Sequence, residues 1–167
     1  MKLKADRHNN LLNNSTPFLF IIPLFLSGFT HLWNPIGFPD LFIDEGTYMR
    51  RALQVLEGLG PQEGTYYDHP YFGQLFLAGV FWIIGYPDSL HPSFTQSSIE
   101  SLYLVPRVLM GLLAVLDTFL IYKISEKRYD RRVALIASIL FAVMPMTWLL
   151  RRIFLDNIQL PFVLFAI

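Results

Sequence analysis

Asp44 and Glu45 stand side by side, Asp68 and His69 form a second polar pair, and the stretch RRIFLDN gathers Arg151, Arg152 and Asp156. Carboxylate, imidazole and guanidinium groups can accept a proton, orient a hydroxyl and hold an oxyanion. Arg107 falls in the second turn of the apolar run 101–122, roughly 9 Å below the start of that span, where an arginine can snorkel or bind an anion, and a charge within a span usually marks a site or a partner. Spacing alone leaves quieter readings open. Asp44 and Glu45 also suit the first turn of a helix, complementing its dipole. His69 before Pro70 suits a turn, Arg151 and Arg152 suit interface anchors, and Asp117 suits pairing with a neighbouring helix.

These groups need a scaffold, and the composition says what kind. Of the 167 residues 53% are hydrophobic and 16% charged, against roughly a quarter charged in an ordinary soluble domain. Fifteen Phe, eight Tyr and three Trp suit long stretches in hydrocarbon with aromatic belts at its interfaces. Thirteen basic and thirteen acidic residues cancel, so no net field attracts nucleic acid, and none is expected as a partner. The absence of cysteine removes disulfide frameworks, thiol nucleophiles and thiolate metal sites together.

The apolar runs predict an all-α integral membrane fold with about four transmembrane helices, at residues 17–33, 101–122, 133–150 and 158–167. The last would reach only about 15 Å as a helix, half a bilayer, so the chain reads as the N-terminal part of a longer transmembrane domain. A further apolar run, 70–86, could span or lie at the interface. If it does not span, Lys2, Lys4, Arg7, Lys123, Lys127, Arg128, Arg131 and Arg132 fall inside, and Arg50, Arg51, Arg151 and Arg152 outside, as the positive-inside rule requires. If it spans, the basic loop KISEKRYDRR falls outside and the rule is broken.

The chain is therefore expected to be a multi-pass cell-membrane protein with a cytoplasmic N-terminus and one long extracytoplasmic loop, 34–100. An amphipathic helix over 45–59 should lie flat in that loop. Met49, Leu53 and Leu56 would share one face, Arg50, Arg51, Gln54 and Glu57 would point elsewhere, and Gly58, Gly60 and Pro61 would stop it. Residues 70–86 should form a re-entrant or interfacial helix. This topology collects the polar groups on the outer face.

The order FIDEGTY, YDHPYFGQLFLAG, VPRVLMGLLAVLDTFLIYKI, RRIFLDN after a first span resembles the N-terminal third of a GT-C membrane glycosyltransferase. The nearest branches are the protein O-mannosyltransferases and the aminoarabinose transferases of lipid A, and the resemblance covers residues 17–167. In that family an acidic pair opens the first extracytoplasmic loop, an HPP-x-GK-like motif begins a membrane-associated helix, and an arginine starts the second true span. The match gives these places to Asp44 and Glu45, to His69 and Pro70, and to Arg107. Tyr71 and Gln74 stand where the mannosyltransferases have a second proline and a lysine. Ile158 and Gln159 follow Asp156-Asn157, where the similar metal-holding turn of the oligosaccharyltransferases carries a last acid.

The resemblance implies transfer of a sugar, with inversion, from a polyprenyl-phosphate-linked donor to a protein, lipid or glycan acceptor at the outer face of the lipid bilayer. It implies Asp44 as general base with Glu45 orienting it, and His69, Arg107, Arg151 and Arg152 as substrate-binding groups. Asp156 would help hold a divalent metal, Mg or Mn. The alternative is a transporter or a non-catalytic multi-spanning scaffold. Transporters gather polar groups near the bilayer midplane, whereas here they gather at one interface.

Overall fold

The computed structural model describes residues 18–60, 69 and 71–167. Among them every regular element is a helix: α1 Ile21–Leu32, α2 Ile43–Leu56, α3 Tyr71–Ile84, α4 Gln96–Arg128, α5 Arg131–Val143 and α6 Leu155–Phe165, with short 3-10 helices at Asp88–Leu90 and Pro145–Arg151. Helix α4 is the axis, and α1, α5 and α6 pack along it. On one side α1 and α5 also touch each other, and on the other α3 bridges α2 and α6.

Local chemistry sets the ends of these helices. Gly58, at φ +73°, lets the Leu59 N–H return to the Gln54 carbonyl at 3.0 Å, closing α2 as the glycine after it suggests. Gly85, at φ +67°, closes α3 in the same way, with the Tyr86 N–H on the Phe81 carbonyl. The Asp130 carboxylate accepts the N–H groups of Arg132 and Val133 at 2.8 and 2.9 Å and so caps α5. Only Tyr129 and Asp130 separate α4 from α5, which therefore fold back as an antiparallel hairpin.

Several elements depart from expectation. Helix α4 has 33 residues and alone among the described helices is long and apolar enough to cross a bilayer by itself. Because it begins at Gln96, Arg107 stands about 16 Å along it rather than in the second turn. The expected span 133–150 is broken instead. Helix α5 stops at Val143, Met144 is extended because Pro145 follows it, and the chain turns by 66° into Pro145–Arg151. Helix α3 is about 21 Å long, shorter than a hydrocarbon core of about 30 Å. Helix α2 buries Arg51, expected to point elsewhere, together with Tyr48, Met49 and Ala52. The start of the first apolar run, at residue 17, lies outside the described residues.

Two crossings are close because glycine leaves room. A Cβ at Gly111 would stand 2.7 Å from the His31 carbonyl oxygen, and one at Gly73 would stand 2.7 Å from that of Leu155. Polar links reinforce the α1 contacts: Ser27 Oγ meets Thr118 Oγ1 at 2.7 Å, and the Thr30 hydroxyl donates to the Ala142 carbonyl at 2.8 Å. Asp117 does not pair as expected; it is 1% exposed, and its Oδ1 has no hydrogen-bond partner.

Pro106 sits inside α4 and has no N–H to give the carbonyl four residues back, that of Leu102. The Tyr86 hydroxyl supplies the missing bond at 3.1 Å and ties the turn after α3 to α4. Tyr86→Phe is expected to destabilise the fold by about 1–2 kcal/mol, the cost of an unsatisfied buried carbonyl. In a Pro106→Ala background the helix supplies its own N–H, so the same substitution should cost markedly less. A double-mutant cycle on thermal unfolding measures this, and equal costs in both backgrounds would refute the pairing.

Candidate active site

The site grows from the head of α2. Glu45, three residues after Phe42, reaches back to the Phe42 N–H through Oε1 at 3.1 Å, which satisfies one of the helix's orphan donors. Its Oε1 also accepts from Arg107 Nη2 at 2.6 Å, and its Oε2 accepts from Arg107 Nε at 2.9 Å and from the Ile153 N–H at 3.1 Å. The carboxylate is fully buried and its lone pairs are all engaged.

Arg107 is equally committed. Beyond Glu45 it donates through Nη1 to the carbonyls of Pro35 and Pro39, at 2.8 and 2.7 Å, and through Nη2 to that of Asp40 at 3.1 Å. Five donors meet five acceptors, and the side chain is 1% exposed. The expected role as a phosphate partner is therefore corrected: Arg107 keeps no N–H for a ligand. The same saturation removes Glu45 from proton transfer and makes it a positioning residue.

The next arginines differ. Arg151 is 3% exposed and donates through Nη2 to the carbonyls of Trp33 and Asn34, closing the end of α1, while its Nε has no partner. Arg152 is half-buried, with its guanidinium 5.0 Å from the Phe42 ring centre and its Nε unpartnered. The Arg152 Nε is buried, but its terminal nitrogens make no hydrogen bond or ion pair with a described residue, so of the arginines expected to meet substrate it is the half-exposed one with donors to spare.

Asp44 precedes the saturated Glu45 by one position, about 100° around the helix. It is half-buried, and its carboxylate makes no hydrogen bond or ion pair with a described residue. One turn further on, Tyr48 brings its hydroxyl to 2.6 Å from His69 Nε2, while His69 Nδ1 lies 3.0 Å from Asp156 Oδ2. The carboxylate fixes the imidazole and aims its other nitrogen at the phenol, so a chain of proton-carrying groups runs across 87 residues of sequence between His69 and Asp156. Asp68 lies outside the described residues, as does Pro70.

No group of three or more His, Cys, Asp or Glu that could hold a metal occurs among the described residues. Asp156, expected to help hold a metal, lies 3.0 Å from His69 Nδ1 through its Oδ2. Tyr48 escaped the sequence reading, although it lies one helical turn from both Asp44 and Glu45.

Glu45→Gln and Arg107→Met are each expected to cost about 3–5 kcal/mol, since each leaves a buried charge or its partners unmatched. The double substitution Glu45→Leu/Arg107→Met should not recover wild-type stability. It orphans the N–H groups of Phe42 and Ile153 and the carbonyls of Pro35, Pro39 and Asp40. Unfolding in denaturing detergent tests this, and a double variant as stable as the wild type would refute the tying role. Comparison with protein-family models, with curated proteins and with solved structures finds no match for this chain.

Proposed function

We propose that the chain is a multi-pass membrane protein, a GT-C-type glycosyltransferase that moves a sugar from a polyprenyl-phosphate-linked donor to a hydroxyl acceptor at the outer membrane face. The observation that carries this reading is the division of labour in the acidic pair. Glu45 is saturated and holds the head of α2, which leaves Asp44 as an unengaged carboxylate on a fixed backbone.

The chemistry is a displacement. The acceptor oxygen attacks the anomeric carbon, the bond from that carbon to the phosphate oxygen breaks, and the polyprenyl phosphate departs with the electron pair. Asp44 takes the acceptor's proton. Arg152, through its unengaged terminal nitrogens, stabilises charge gathering on the leaving phosphate. The His69 imidazole, oriented by Asp156 and Tyr48, borders the acceptor side.

Membrane residence is supported by the outward face of the bundle. Phe25, Trp82, Ile83, Ile136 and Leu140 are more than half exposed, an arrangement suited to lipid rather than water. From Arg107 to the basic turn that begins near Arg128, α4 covers about 30 Å, the thickness of a hydrocarbon core.

Two measurements test the proposal. In this cysteine-free chain, single cysteines at Ser97 and Ser125 should label from opposite sides of intact vesicles, Ser97 from outside; labelling of Ser97 from the cytoplasmic side would overturn the topology. With polyprenyl-phosphate mannose or polyprenyl-phosphate aminoarabinose as donor, Asp44→Asn should slow release of the polyprenyl phosphate by roughly 10²-fold or more at unchanged thermal stability. Glu57→Gln, at the exposed far end of α2, should leave it unaltered. In the full-length protein, full activity of Asp44→Asn would remove Asp44 as base, and no release from either donor by the wild type would overturn the enzymatic reading.

A further inference from the structure

Among the described residues, one buried charge near the head of α4 has no ion partner. Glu45 is matched by Arg107, yet Arg151, 3% exposed, forms no ion pair with any described residue. A guanidinium held out of water without a counter-ion is a costly arrangement, and it persists where something else supplies the negative charge.

Arg151 lines a cavity of about 340 Å³ between α1, the 33–38 turn and the Pro145–Arg151 helix. The other walls are Phe29, Thr30, Trp33, Phe38 and Trp148, so the arginine is the one charged side chain there. The Thr30 hydroxyl is committed to backbone carbonyls, including that of Ala142. Arg151 uses Nη2 on the Trp33 and Asn34 carbonyls, while its Nη1 makes no hydrogen bond and is the donor left for a ligand. Phe29 and Trp33 are more than half exposed on the outer side of α1, so the cavity opens where lipid would lie. Tryptophans such as Trp33 and Trp148 favour headgroup depth in a bilayer.

We propose that this cavity binds an anionic phospholipid of the surrounding membrane, with its phosphate on Arg151 and the start of its chain along Phe29, Trp33 and Trp148. A lipid fits better than a soluble anion because apart from one guanidinium the walls are aromatic and apolar. The lipid acts as the missing counter-ion and holds the end of α1 against the Pro145–Arg151 helix. The site rests on the membrane part of the proposed function and is independent of its catalytic part.

The three tryptophans make a direct test possible, since two of them line the cavity and the third, Trp82, is exposed on α3. In a Trp82→Phe protein all tryptophan fluorescence comes from the cavity. In phosphatidylcholine vesicles, brominated phosphatidylglycerol should half-quench it at a mole fraction roughly tenfold lower than brominated phosphatidylcholine, reflecting the charge-assisted contact. Arg151→Gln should abolish the preference. Phe38→Glu should do so too, by setting a carboxylate beside the same guanidinium while Arg151 stays in place. Arg128→Gln, exposed at the far end of α4, should keep it.

Equal quenching by the two lipids, or a preference that survives both Arg151→Gln and Phe38→Glu, overturns the site. Loss of the preference in excess inorganic phosphate overturns the lipid as occupant in favour of the free anion. Quenching by neither lipid overturns the membrane reading and the site with it.

Discussion

The Glu45–Arg107 pair is the constraint on which the arrangement of α2, α4 and α6 depends. Removing two such charges from water costs several kcal/mol each, and attraction between them offsets this only when every remaining lone pair and N–H is also satisfied. Here they are. Residues 33–42 contain no helix or strand, so the carbonyls of Pro35, Pro39 and Asp40 have no backbone ladder to join, and Arg107 supplies their donors. The carboxylate does the complementary work for the N–H groups of Phe42 and Ile153. One ion pair thus fixes the α1–α2 connection, the start of α2 and the approach to α6.

That rigidity shapes the site more than any feature of its exposed residues. With the first turn of α2 held from one side, Asp44 is carried on a backbone that cannot easily rotate, and its carboxylate needs no part in the structure. Tyr48, one turn later, is fixed by the same helix, while Asp156 rides on α6, whose entry is pinned through Ile153. His69 completes the link between the two, and its imidazole is oriented from both ends.

Much of this was legible from the chain. Gly58 marks the end of α2, the acidic pair marks its first turn, and the charge-free stretch from Tyr71 proves too short as a helix to cross a bilayer. The partner of Arg107 was not legible, because a bidentate contact to Glu45 across 62 residues leaves no periodic trace. Reading an arginine within an apolar run as a ligand group ignored the possibility that irregular backbone would consume all its donors. Arg51 was misjudged for a similar reason: periodicity put it off the apolar face, yet in the fold it is buried beside Tyr48 and Ala52. Tyr48 and Asp156 meet through His69 only in three dimensions.

The two sides of α4 are held together by different forces. Around α2, α3 and α6 the buried residues are large, among them Tyr48, Leu77, Phe81, Ile153, Leu155 and Ile158, and they form a continuous apolar core. Where α1 and α5 meet α4 the buried residues include Ser27, Gly111, Ala114, Thr118, Ala134, Ser138 and Ala142. Burying large apolar groups drives association when the alternative is water. In hydrocarbon that drive is absent, and helices associate through close approach of small residues and hydroxyl bonds such as Ser27 to Thr118. The contrast supports, independently of the basic residues, a chain whose α1, α4 and α5 lie in lipid while α2 and α3 fold back at its surface. On the proposed reading, that arrangement would bring Asp44 and its neighbours to where an aqueous acceptor and a membrane-borne phosphate meet.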